Sequence, residues 1–193
     1  MNFKCLGDFK FYENVPEEVI KKYEGRVPNE LLEIWKKYGF GTFANGYMKI
    51  INPDDYMQVL EESYFASDIA IPIFATGLAD IIVWQKEKYV CLIKYRKHQA
   101  PIYLSNFNNF IGNYIGNFNT PETIEYFDKK TIEFLDHSQY ETAVKLLGEL
   151  EYDECFGYVP LLALGGAEKP ESLAKGKIKQ HIQIITHLVG RME

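Results

Sequence analysis

Few side chains in this sequence are placed to do chemistry. The four histidines are His98, His137, His181 and His187, and no HExxH, HxH or His–Cys pairing joins them at metal-ligand spacing. His181 and His187 are six residues apart, which puts them on different faces of a helix. A lone histidine beside an apolar stripe reads as a satisfied core side chain, not as a base or ligand. The three cysteines, Cys5, Cys91 and Cys155, lie far apart and form no CxxC. Cys91 falls in an apolar run, where a thiol behaves as a small hydrophobe. Cys155 follows Asp153 and Glu154, whose charge opposes thiolate formation. No catalytic residue, metal site or cofactor site is therefore expected.

Two glycine pairs invite a phosphate-loop reading. Ala163–Gly166, ALGG, has no GKS or GKT ending, and Gly39 and Gly41 in YGFGTF make only half of a dinucleotide fingerprint, after a helix instead of a strand. Both read as turns that need unusual backbone angles. One acidic run stands out: Glu149, Glu151, Asp153 and Glu154. Paired carboxylates can do acid/base work or hold a divalent ion, but no calcium-loop spacing surrounds these. The plain reading is a solvated turn before a strand. The functional reading is a contact for a basic partner.

The elements that must position these residues follow from periodicity. Pro16 with Glu17 and Glu18 starts a first helix, which Gly25 stops. Pro28 opens a second, whose stripe Leu31, Leu32, Trp35 and Tyr38 makes Trp35 a core residue. Asn45-Gly46 marks a tight turn, and Asn52-Pro53 starts a third helix with Tyr56, Val59 and Leu60 inward. The stretch 71–103 is β-rich: Ile73–Ala75, Asp80–Trp84 and Tyr89–Tyr95 are strands, and Lys86–Lys88 is a hairpin turn. Val90 and Leu92 alternate with Tyr89, Cys91, Ile93 and Tyr95, which predicts a strand covered on both sides. Phe107 to Ile115 keeps helical spacing, and Thr123–Phe134 is extended or irregular. Gln139–Leu147 is a helix with Ala143, Leu146 and Leu147 inward, Glu154–Leu164 is strand-like, Pro170–Lys175 is a helical turn, and Lys177–Val189 is the closing helix.

Composition limits the function classes. A chain of 193 residues with 47% apolar and 25% charged residues can bury a full core, so disorder is excluded as a global description. A net charge of −6 repels a phosphate backbone, and apart from Lys94, Arg96 and Lys97 the cations are scattered. Direct nucleic-acid binding is disfavoured and a basic protein partner is allowed. No apolar run reaches the ~20 residues that span a bilayer. No signal peptide is visible and the cysteines form no disulfide framework, so a cytoplasmic location is expected.

Two stretches, VPNELLEIWKKYGFGTFANGYMKIINPDDY and IPIFATGLADIIVWQ, resemble the GAD-like domain. A third, LGELEYDECFGYVPLLALGGAEKPESLAKGKIKQHIQIITHLVGR, resembles the C-terminal domain of type VI secretion immunity proteins, those that neutralise DNase effectors. The resemblance covers roughly Pro16 to Arg191 and supplies no catalytic residue. It implies an α+β fold, a mainly antiparallel sheet flanked by helices, with lobes 1–105 and 106–193 packed as one body. It also implies a non-enzymatic protein-binding module, a bacterial immunity protein that neutralises a basic nuclease toxin by direct binding. The alternatives are a small-molecule-binding domain or small enzyme using the YGFG turn, and a nucleic-acid-linked accessory module that the net charge opposes. Glu149, Glu151, Asp153 and Glu154 are the candidate partner-binding residues.

Overall fold

A computed structural model describes residues 6–111 and 136–192. Seven strands form one antiparallel sheet in sequence order: β1 (Lys10–Glu13), β2 (Phe40–Phe43), β3 (Met48–Ile50), β4 (Ala70–Thr76), β5 (Ile81–Gln85), β6 (Tyr89–Ile93) and β7 (Ile102–Leu104). The helices are α1 (Glu17–Tyr23), α2 (Asn29–Tyr38), α3 (Pro53–Ser63), the single turn α4 (Phe107–Asn109), α5 (His137–Leu147) and α6 (Ile178–Val189). Strands β8 (Glu154–Tyr158) and β9 (Leu173–Lys177) pair as a separate antiparallel hairpin. The fold is α+β, with a mainly antiparallel sheet flanked by helices and the parts packed as one body.

The sheet is buried on both faces, as the β6 pattern requires. Val90 and Leu92 join a core with Ile82, Trp84, Leu31 and Trp35, and with Tyr140, Phe156 and Leu173 from the C-terminal half. Cys91, Ile93 and Tyr95 join a second core with Ile81, Val83, Tyr56 and Leu60, and with Ile178, Ile182 and Ile185 of α6. Trp35 is almost wholly buried, its ring edge-on to Tyr23 and Phe40. The Asn52 side chain caps α3 by accepting from the Asp54 amide at 3.1 Å. Pro72 does not end β4, because a bulge between Pro72 and Phe74 absorbs the break in pairing with β5.

Glycine at 41 is demanded by the approach of β1. A Cβ there would collide with the Lys10 carbonyl and the Phe9 ring. The YGFG turn is thus filled by the N-terminal strand, which the periodicity reading did not identify.

Several expectations are corrected. Leu146 and Leu147 are exposed, at 57% and 39%, because α5 buries His137, Tyr140 and Ala143 and its last turn runs past the packed surface. The helical turn near Pro170 covers only Pro170–Ser172, and the chain then extends as β9 because β8 offers it a full ladder. Of the strand-like run Glu154–Leu164, only Glu154–Tyr158 is strand; a cis Val159–Pro160 bond follows, then a 3-10 turn over Leu162–Leu164. From the Phe107–Ile115 helix, the described residues contain α4 and Phe107, Phe110 and Ile111 in the core. The rest of that stretch, the Thr123–Phe134 segment and Cys5 lie outside the described residues.

A buried ion cluster sets the C-terminal half against the sheet. The Arg96 guanidinium, 3% exposed, donates to Asp80 at 2.7 Å and to Asp136 at 2.8 and 2.9 Å. Lys94 lies 3.3 Å from Asp136, and Lys97 bridges Asp136 at 3.4 Å and Glu168 at 2.7 Å. Asp136 sits at the N-terminal end of α5, where an aspartate usually caps the helix, but its carboxylate turns to the cations instead. The basic stretch of the sequence is therefore a buried joint. Arg96→Leu would leave two carboxylates without their shared cation and should cost about 3–5 kcal/mol by urea unfolding. A loss below about 1 kcal/mol would show that the cluster does not hold the fold.

Candidate functional site

The acidic run lies on the segment joining α5 to β8, and the structure ties each of its residues down. Glu149 pairs with Lys10 of β1 at 2.8 Å, and that hydrogen bond holds its carboxyl below the usual range. Its carbonyl accepts from Lys175 at 2.6 Å. Asp153 pairs with Lys177 at 2.7 Å, and Glu154 lies 3.6 Å from the same lysine. Glu154 also accepts from the Glu151 amide at 3.0 Å. The exposed Glu151 is the one of the four whose carboxylate has no ion pair among the described residues.

The segment is anchored from beneath. Lys49, in the middle of the sheet, is fully buried and donates to the Glu151 carbonyl at 2.8 Å. Burial lowers the Lys49 ammonium to about 8, against the pull of Cys155, Asp153, Glu154 and Glu151. Tyr152 donates to the Ile50 carbonyl at 2.7 Å, and its ring stacks on Tyr12 of β1 with centroids 4.0 Å apart and planes 13° off parallel. Of the four acids, Glu149 thus meets the exposed β1 through Lys10, while Asp153 and Glu154 turn to Lys177 at the end of β9.

The other chemistry-bearing residues do not converge. Burial pushes the Cys91 thiol up to about 11 and the Cys155 thiol up to about 12, so both are quiet. Burial likewise lowers His137, which packs edge-on against Tyr47, and His181, whose ring lies against Gly157. His98 and His187 are exposed, and His98 lines one hollow together with His181. Among the described residues, no three His, Cys, Asp or Glu side chains could together hold a metal ion. In ALGG, Gly165 takes a left-handed angle and Gly166 packs on the Pro160 carbonyl, which makes it a turn.

Two hollows remain. A groove of about 870 Å³ lies between α1, α3 and the hairpin tip, and Lys22, Tyr23 and Asp54 in its wall are engaged with one another, Lys22–Asp54 at 2.5 Å and Tyr23–Asp54 at 2.6 Å. A smaller one of about 350 Å³ lies between residues 95–99, 158–163 and α6. Sequence reasoning missed the Arg96 cluster and β1. Lys10–Glu13, KFYE, shows no period-two alternation to mark the strand, and nothing local marks the ion partners.

The Lys49 pocket gives a pH test with a definite sign. Its folded value, about 8, is below the ordinary 10.5. Below pH 8 the group is charged in both states and the burial penalty is fully present. Between pH 8 and 10.5 the folded chain sheds the proton first, so stability from this group rises with pH, by on the order of 3 kcal/mol in full. Unfolding of wild type and Lys49→Met, compared at about pH 7 and about pH 9.5, should show this rise in wild type alone. Parallel pH profiles would place the ammonium in contact with water.

Comparison with known proteins matches the observed elements. The GAD-like domain family matches residues 3–95 and the family described as T6SS immunity protein Tdi1, C-terminal, matches residues 122–189. No curated protein matches. A solved structure with the same fold is Atu4351 from Agrobacterium tumefaciens, with a TM-score of 0.74 at 17% identity over 96% of this chain and 88% of that one. Among the described residues, no helix is long and apolar enough to cross a membrane. The chain is accordingly a GAD-like domain over residues 3–95 followed by a T6SS immunity protein Tdi1 C-terminal domain over residues 122–189.

Proposed function

We propose that this chain is an immunity protein that binds a type VI secretion toxin and blocks it by occupying its surface, without catalysing a reaction. The observation that carries the reading is the Tdi1 C-terminal domain over residues 122–189. The partner is a DNase-type toxin, met in the cytoplasm before it reaches DNA. Such a toxin needs a positive surface to hold its substrate. This chain carries a net charge of −6, and it presents Glu149, Glu151, Asp153 and Glu154 at the rim of a surface anchored on the sheet. Anchoring matters because a held charge steers association with less ordering cost than a free one. Glu151 contributes most, since its neighbours already share lysines within the chain.

The test pairs the purified chain with the toxin encoded beside its gene. Replacing Glu151, Asp153 and Glu154 by alanine should slow association by roughly tenfold at low salt and flatten the salt dependence. Because Asp153 and Glu154 also hold Lys177, the single variant Glu151→Ala is measured beside it, and circular dichroism checks that both are folded. Unchanged affinity and salt slope in both would remove the segment from the contact. Turnover of a small molecule, with no protein bound, would overturn the whole reading.

A further inference from the structure

Strand β1 differs from β2 to β6. All four of its residues are exposed, whereas β2 to β5 are wholly buried and β6 is buried in all but its first residue. It stands at the end of the strand order and, among the described residues, ladders only with β2. Among the described residues its other flank faces no strand, and backbone N–H and C=O groups on either side of the bulge can accept a further one. Phe11 and Tyr12 are 60% and 55% exposed, and a bulge between Phe11 and Glu13 interrupts the regular alternation there. Phe11 leans over Gly39 while Tyr12 stacks on Tyr152, so both rings are held in place at an open edge.

The charge around this edge is chiefly negative. Glu13 and Asp55 lie close enough to Tyr152 to disfavour its ionisation, and Glu149 reaches β1 itself. The cation on the strand itself, Lys10, is already paired with Glu149. An incoming segment would find backbone partners along β1, two exposed aromatic rings and carboxylates beside them. We propose that β1 is the docking edge for an extended basic segment of a partner protein, which adds to the sheet as an eighth strand. The partner's identity as a toxin rests on the immunity reading; the edge itself does not. Main-chain bonds supply the affinity and alternate cationic side chains the selectivity, as in other strand additions.

Hydrogen exchange tests this with the full chain and a soluble peptide of alternating lysine and valine. The peptide should slow exchange of the amides in residues 10–13 by at least about fivefold, with the effect falling as salt is raised. A peptide of alternating glutamate and valine should give none. Glu13→Lys, an exposed change that leaves the sheet intact, should abolish most of the protection. Absence of protection at 10–13, equal protection by the acidic peptide, or protection confined to residues 158–163 overturns the proposal. A parallel exchange measurement uses the toxin itself. Toxin inhibition with no protection at 10–13 sinks the edge and leaves the immunity reading standing. Peptide protection without toxin inhibition supports the edge and sinks the immunity reading.

Discussion

The Arg96 guanidinium, held between Asp80 and Asp136, is the contact on which the arrangement of this molecule depends. Moving such groups out of water is costly, and their mutual attraction offsets the cost only in part here, because Asp80 Oδ1 and Arg96 Nε are buried with no hydrogen-bond partner among the described residues. Here the turn before β5 supplies Asp80, itself fixed because Thr76 accepts from the Asp80 amide at 3.1 Å. The turn after β6 supplies Arg96 and Lys94, and the start of α5 supplies Asp136. Burial raises the Asp80 carboxyl to about 6, while burial of Arg96 is outweighed by the two carboxylates, which hold the guanidinium charged.

From that joint the C-terminal half falls into register. With α5 fixed, Tyr140 packs onto Gly77, where a side chain would collide with its ring, and donates to the Asn45 carbonyl at 3.0 Å. The Phe156 amide donates to the Gly77 carbonyl at 2.7 Å, which starts β8 against the sheet. The segment between α5 and β8 must then cross β3 and reach β1, and the Lys49 and Tyr152 bonds pin it there. The acidic and aromatic surface is thus built by residues of both matched families, and it would be lost if either half moved.

Much of the fold was legible because it is written locally. The stripe of α2, the Asn52 cap, the hairpin at Lys86–Lys88 and the two-sided pattern of β6 each need only a few neighbouring residues. The acidic run was visible as a run. What was not legible depends on partners far away in sequence. Arg96 meets carboxylates 16 and 40 positions distant, and the stretch containing it reads as solvated cations until those partners are known. Leu146 and Leu147 satisfy a helical count but lie beyond the surface that α5 covers. Strand β9 is polar and exposed over most of its length, so its state is set by pairing with β8 and not by its own pattern.

A surface of this kind, anchored on the sheet and chiefly negative at its rim, is suited to a protein that acts by covering another. That is the central claim. The most direct measurement is a titration of the toxin's DNA cleavage with the purified chain. The account predicts complete inhibition at about one chain per toxin, reversed by high salt and weakened by excess DNA. Inhibition by far less than one equivalent, or none at any ratio, would contradict it.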